Sequence, residues 1–144
     1  MIYNDTIELL KECNAGIKMA IASIDEILDN VHDSRLKQIL NACKMDHEIL
    51  EKETTILLDN FNDSGKEPNP VAKTMSWIKT NVKLSFDESD QAVADLITDG
   101  CNMGVKSLNK FLNKYKAAEA NARILVKKLI SLEEKLADDI KSYL

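Results

Sequence analysis

The chain has 144 residues, of which only 4 are glycine and 2 are proline, and its formal net charge is −5. Sheet folds need a turn about every 8 to 12 residues, and turns draw on glycine and proline, so this composition excludes most sandwiches, barrels and doubly wound sheets. A hydrophobic fraction of 44% can fill one core, so we expect a single all-α domain over residues 1–144. The negative net charge gives no electrostatic reason to bind nucleic acid, and we expect no such partner.

Apolar residues at alternating spacings of three and four predict two long helices at the start of the chain. The first is predicted over residues 5–31, where Asp5 and Glu8 have the form of a capping box. The second is predicted over 34–62, after a break and a new N-cap at Asp33 and Ser34. Its seam reads Leu36, Leu40, Cys43, His47, Leu50, Thr54, Leu57 and Phe61. The short connection makes these two helices antiparallel neighbours.

A loop and a short helix are predicted to follow. Residues 62–70 contain both prolines and Gly65, which predicts the one clear loop of the chain. A proline behind an asparagine cap then opens a short helix over 70–84, beside whose apolar stripe lies Trp77. Ser85 and Glu88 form another capping box, so we expect the chain to break there.

Two further long helices are predicted over 89–115 and 117–143, with the turn between them near Lys116. The connection between the second and third long helices has about 25 residues including the short helix, which is enough to run the ~40 Å length of a long helix. The third helix can therefore run parallel to the second. We accordingly predict a four-helix bundle of ferritin-like, up-down-down-up type with a long crossover.

Short motifs in three helices and in the crossover carry a resemblance to a known family. They are Asn14 with Gly16 and Ile17, Leu36-Lys37, Trp77 and Gly100. Over about residues 7–115 the chain resembles the bacterial ferritin-like family catalogued as domain of unknown function 2383, which implies a ferritin-like bundle of bacterial origin. Where that family has Asp, Tyr, Glu and Tyr, this chain has small or apolar residues, so the family's ligand positions are degenerate here. They are Ala15, Ala20, Cys101 and Leu108.

The histidines argue against a di-iron centre. Such a centre needs four inward carboxylates and two Glu-x-x-His motifs. His32 and His47 are the only histidines, and the residues three positions before them are Asp29 and Lys44. We therefore expect neither ferroxidase nor di-iron oxygenase activity, and no cofactor.

A polar layer inside the bundle is the candidate site. Cys43 and His47 are four residues apart on one helix face, and Asn14 and Cys101 are predicted to lie near the level of His47. Two interpretations stay open. In the favoured one, buried hydrogen bonds satisfy the layer without a metal. In the alternative, a mononuclear metal site uses His47 with Cys43 or Cys101.

The remaining patterns bear on packing and partners. Gly100 and Gly104 form a face of small residues, which we expect to let two helices approach closely, or to leave room beside a bulky partner such as Trp77, rather than to build a pocket. Apolar residues outside the main seams either complete the core or form a patch for a second copy of the chain. They are Leu9, Ile27, Ile56, Ile124, Val126 and Ile130.

The sequence thus predicts a non-catalytic structural or protein-interaction bundle with a homodimer or protein partner. Three cysteines without CxxC spacing favour a reducing compartment. Residues 1–5 lack the basic and apolar regions of a secretory leader, and no apolar run approaches a membrane span. We therefore expect a cytoplasmic protein without a membrane partner.

Overall fold

The computed structural model describes residues 2–61 and 89–144, in which four long helices pack into a bundle. They are α1 (Ile2–Leu28), α2 (Ser34–Asn60), α3 (Asp90–Lys114) and α4 (Ala120–Ile140), and a 3₁₀ turn follows at Lys141–Tyr143. Every regular element in these two ranges is helical, as the scarcity of glycine and proline predicted. None of the described helices is both long and apolar enough to cross a membrane.

Several predictions fall on residues that the structure does not describe. The loop at 62–70, the short helix at 70–84 with Trp77, and the capping box of Ser85 and Glu88 all lie outside the described residues. The first described residue after them, Ser89, is the N-cap of α3, and its hydroxyl accepts a hydrogen bond from the backbone N–H of Ala92 at 3.1 Å.

The start of α1 differs from the prediction, whereas the start of α2 agrees with it. Helix α1 already begins at Ile2, and the Asp5 carboxylate accepts a hydrogen bond from the backbone N–H of Ala117 instead of capping its own helix. The predicted Asp5 capping box is therefore wrong. Asp33 does cap α2, because its carboxylate accepts the N–H groups of Arg35 and Leu36 at 2.8 and 3.0 Å.

The turn between α3 and α4 spans residues 115–119, around the predicted position at Lys116, although it contains neither glycine nor proline. An arginine explains how the chain can turn there. The Arg123 guanidinium donates to the carbonyls of Leu112 and Tyr115 at 3.1 and 3.3 Å, which satisfies backbone acceptors that the end of α3 leaves open.

Side-chain hydrogen bonds fix which helix ends lie together. The Asp90 carboxylate, at the start of α3, accepts two backbone N–H groups of the α1–α2 turn at 2.8 and 2.9 Å. The Tyr143 hydroxyl, after α4, donates to Asp33 in the same turn at 2.9 Å. At the other end, the Glu119 N–H donates to the Thr6 hydroxyl in the first turns of α1 at 2.9 Å. The α3–α4 turn therefore lies beside the start of α1.

The core consists of two apolar clusters with a polar level between them. One cluster lies towards the α1–α2 turn and includes Ile24, Leu36, Leu40, Ile97, Leu136 and Ile140. The other lies towards the α3–α4 turn and includes Leu9, Leu10, Ile17, Leu50, Leu112 and Leu129. On α2 the level between them is occupied by His47, and on α4 by Glu133.

The predicted seam of α2 is buried from Leu36 to Thr54, and Leu58 replaces Leu57 at its end. Of the six apolar residues outside the seams, four complete the core: Leu9, Ile27, Val126 and Ile130. Ile56 and Ile124 are exposed instead.

Candidate functional site

His47 lies at the centre of the bundle, and its side chain has no exposed surface. Its Nδ1 atom is 2.8 Å from the backbone carbonyl oxygen of Cys43, one turn earlier on α2, and 3.4 Å from the Cys43 sulfur. Because a carbonyl oxygen can only accept, Nδ1 carries a proton and donates. The other ring nitrogen, Nε2, lies 2.9 Å from Oε1 of Glu133 on α4.

The surroundings of His47 favour its charged form. Burial by itself would lower the pKa of His47, but hydrogen bonds to Cys43 and to Glu133 outweigh it and raise the pKa to about 10. Both ring nitrogens therefore carry protons at neutral pH. His47 and Glu133 form a buried ion pair that has no net charge.

Glu133 is the site residue that the sequence analysis missed. The buried positions of α4 include 122, 126, 129, 133, 136 and 140, which alternate in steps of four and three, so Glu133 takes a place that the pattern assigns to an apolar residue. A glutamate in that phase is the signal that could have found the pair.

Cys101 lies beside the ion pair but stays a thiol. Burial, and then the neighbouring Glu133 carboxylate, raise its pKa well above the usual range for cysteine. Burial also raises the pKa of Cys13 to about 12. All three cysteines, including Cys43, are free and buried.

Asn14 does not belong to this level, so the predicted layer of Asn14, His47 and Cys101 is wrong in that residue. Its Nδ2 atom donates to the Thr54 hydroxyl at 3.2 Å, and Thr54 lies two turns beyond His47 on α2, about 10 Å along the axis. The antiparallel register of α1 and α2 brings Asn14 level with Thr54. The Asn14 Oδ1 atom is buried and has no hydrogen-bond partner among residues 2–61 and 89–144.

The arrangement around His47 does not resemble a metal site. Within residues 2–61 and 89–144, no group of three or more His, Cys, Asp or Glu side chains is arranged to hold a metal ion. Of the two thiols named in the metal hypothesis, Cys43 lies 3.4 Å from Nδ1 of His47, whereas Cys101 interacts with Glu133. Both ring nitrogens are already in hydrogen bonds.

An apolar cavity of about 240 Å³ opens between α1 and α3, with His47 and Glu133 in its lining. It exists because both helices present small side chains to it. These are Ala15, Gly16, Ala20 and Ser23 on α1 and Gly100, Gly104 and Ser107 on α3.

The two glycines of α3 show how much space lies beside that helix in the cavity. Among the described residues, a Cβ atom added at Gly100 would meet nothing within 4 Å, and one at Gly104 would lie 3.6 Å from Oε2 of Glu133. Close approach of α1 and α3 at Gly100 is therefore not observed, and the other packing role predicted for this face, room beside Trp77, lies outside the described residues. Because the facing residues of α1 are small as well, neither helix fills the space between them.

Comparison of the chain with protein-family models, with curated proteins and with solved structures gave no match. Membership of the ferritin-like family therefore stays a prediction. The function has to be argued from the cavity and from the ion pair in its lining.

Proposed function

We propose that this protein is a non-catalytic binding protein, a helical bundle of ferritin-like type that holds a small apolar molecule in the cavity between α1 and α3. The observation that carries the proposal is the cavity itself, about 240 Å³ in volume, with mostly apolar walls and one buried ion pair. Ligand sites in proteins commonly combine an apolar lining with a few placed polar groups, and bundles place them between helices.

Hydrogen bonds at the helix ends support the up-down-down-up order of a ferritin-like bundle. Asp90 ties the start of α3 to the turn at which α2 begins, so α2 and α3 start at the same end. Glu119 and Thr6 tie the start of α4 to the start of α1. In this order the end of α2 and the start of α3 lie at opposite ends of the bundle, which is the arrangement that a crossover topology has.

The state of the buried groups supports binding rather than catalysis. Nucleophilic catalysis by Cys101 would need a thiolate, which its raised pKa disfavours. His47 donates from both ring nitrogens at neutral pH and therefore has no free lone pair with which to act as a general base.

The test uses an apolar probe of matching size without hydrogen-bond donors, benzofuran, in isothermal titration calorimetry with the whole chain. A cavity of ~150 Å³ accommodates benzene, so about 240 Å³ suits a molecule of about nine or ten non-hydrogen atoms. We expect one site with a sub-millimolar Kd, about −5 kcal/mol, which is the range for a ligand of that size.

Two leucine substitutions distinguish binding in the cavity from binding elsewhere on the protein. Gly100→Leu should abolish benzofuran binding, because the new side chain extends into open space. Asn102→Leu, on the exposed face of the same helix, should leave binding unchanged. Absence of binding to the unmodified protein, or binding that survives Gly100→Leu, would contradict the proposal.

A second function, self-association, is favoured by an exposed apolar stripe on α2. Met45, Ile49 and Ile56 are 65%, 56% and 62% exposed, and their spacing places them on one face, opposite the buried seam. We propose that a second copy of this chain covers the stripe. Analytical ultracentrifugation should show a dimer that Ile49→Lys converts to a monomer, and a protein that is monomeric at all concentrations would contradict the idea.

The metal hypothesis is tested by elemental analysis of protein purified without a histidine tag. We expect no stoichiometric metal. Stoichiometric zinc or iron that disappears in His47→Ala would overturn the binding proposal in favour of the metal site.

A further inference from the structure

We propose that the Glu133 carboxylate accepts a hydrogen bond from the bound molecule, so that the cavity selects small, neutral, apolar ligands carrying one N–H or O–H donor. This inference rests on the proposed function, because it names the chemistry of the ligand that the cavity takes. It is carried by the position of one oxygen atom, Oε2 of Glu133.

The two oxygens of Glu133 have different surroundings. Oε1 accepts the hydrogen bond from His47 at 2.9 Å, whereas Oε2 faces α3 at the level where Gly104 has no side chain. Both Glu133 and Gly104 line the cavity, and Glu133 is only 8% exposed. A buried carboxylate oxygen thus lies at the wall of an apolar space.

The hydrogen-bonding capacity of this carboxylate is larger than its partners in the described part of the chain use. An ionised carboxylate has about four acceptor sites. His47 occupies one of them, and the neighbouring Cys101 thiol is only a weak donor. A ligand with an N–H or O–H group at the level of Gly104 would supply a stronger donor.

Charge balance selects a neutral ligand. The ion pair of His47 and Glu133 has no net charge, and the other carboxylate in the lining, Glu12, is partly exposed. Beside the buried pair, a cationic ligand would leave one uncompensated charge, and an anionic ligand would add a negative charge facing the Glu133 carboxylate. A neutral donor adds the hydrogen bond without adding charge. The remaining walls, which include Leu96, Ile97 and Phe111, favour an apolar body.

Indole and benzofuran form a matched pair of probes for this inference. They have the same ring size, but indole has an N–H donor where benzofuran has an ether oxygen. In calorimetric titrations of the whole chain, we expect indole to bind about tenfold more tightly, the effect of one hydrogen bond to a charged group.

Two alanine variants locate the donor site. Gly104→Ala places a methyl group against Oε2 at ordinary contact distance, 3.6 Å, so the preference for indole should fall towards one. Gly100→Ala adds the same methyl group one turn away, where it meets nothing within 4 Å, so it should change both affinities together and keep their ratio. Thermal melts monitored by circular dichroism establish that each variant is folded.

A spectroscopic measurement gives an answer that does not depend on variants. The N–H proton of ¹⁵N-labelled indole should move downfield on binding, because hydrogen bonds to carboxylates deshield the donor. Equal affinities for indole and benzofuran would overturn donor selection while leaving apolar binding intact. Binding of neither probe would overturn the proposed function as well, and a preference that survives Gly104→Ala would overturn the assignment to Glu133.

Discussion

Two buried polar pairs connect α2 to its neighbours, and they differ in how well their atoms are satisfied. His47 pairs with Glu133 on α4, and both of its ring nitrogens donate hydrogen bonds. Asn14 on α1 pairs with Thr54 two turns further along α2, but its Oδ1 atom is buried without a partner. The first pair adjoins the cavity, whereas the second is surrounded by the apolar cluster near the α3–α4 turn.

A polar residue in a helical seam therefore does not by itself indicate whether its buried atoms are satisfied or whether it carries a charge. Thr54 and His47 occupy equivalent positions seven residues apart on α2. Thr54 is a neutral hydroxyl bonded to Asn14 and to the Glu51 carbonyl, whereas His47 carries a charge. An unsatisfied buried amide oxygen lowers stability. A satisfied ion pair beside a cavity can instead present a remaining acceptor to a ligand.

Removing one member of the charged pair should have the largest effect. Glu133→Leu leaves the buried His47 ring without its carboxylate, and we expect the free energy of unfolding to fall by about 3–5 kcal/mol. Urea denaturation followed by circular dichroism measures this. Replacement of both residues by leucine should recover most of the loss.

The matched control for that change is Glu134→Leu, at the exposed neighbouring position. It should alter stability by less than about 0.5 kcal/mol. If Glu133→Leu were as mild as this control, the pair would not be the ion pair described here.

The charged pair should also make stability depend on pH. In the unfolded chain histidine titrates near 6.5, whereas the pKa of folded His47 is about 10. The stabilisation from holding this proton is complete below about pH 6.5 and falls by about 1.4 kcal/mol per pH unit as the pH rises towards 10.

The contribution of His47 is isolated by comparing unfolding of the wild type with that of His47→Gln across this range. The stability difference between them should shrink as the pH rises. His32→Gln, which replaces the exposed histidine outside the ion pair, is the matched control variant. A stability difference that stays constant from pH 6.5 to 10 would show that His47 takes up no proton on folding.

Much of the fold could be predicted from the sequence, because it depends on local signals. The seam of α2, its cap at Asp33 and the turn near Lys116 follow from periodicity, capping chemistry and the lengths of helices. The early start of α1 could not be predicted, since Asp5 bonds to Ala117, which is distant in sequence.

Only part of the site could be predicted, because the rest depends on contacts between residues that are distant in sequence. His47 and its approach to Cys101 followed from position along the helices, but the partner of His47 depends on the rotation of α4, and Asn14 was misplaced by the register between α1 and α2. The cavity depends on two helices presenting small residues to one another. A single helix pattern such as Gly100-x-x-x-Gly104 carries no information about the facing residues.

Replacing Asn14 in the pair with Thr54 should raise the stability of the protein, whereas replacing Glu133 should lower it. Asn14→Leu removes the partnerless oxygen and fills a similar volume with apolar atoms, while Thr54 keeps its hydrogen bond to the Glu51 carbonyl at 2.9 Å. We expect stability to rise by about 1 kcal/mol in urea denaturation. A loss of stability would mean that Asn14 is better satisfied than its contacts indicate.

The smallest expected effect concerns the cavity wall. Gly100→Ala should stabilise the protein by about 0.5–1 kcal/mol, because alanine favours the helix and its methyl group meets no neighbour within 4 Å. Differential scanning calorimetry measures the change. A lower melting temperature would show that the space beside Gly100 is smaller than the structure indicates.

The pair of His47 and Glu133 is charged, whereas the pair of Asn14 and Thr54 is neutral. An NMR titration of the His47 ring nitrogens in ¹⁵N-labelled protein tests this difference directly. Both ring nitrogens should stay protonated at neutral pH, and the ring should titrate near pH 10. A ring that loses its second proton near or below pH 6.5 would contradict the charged pair.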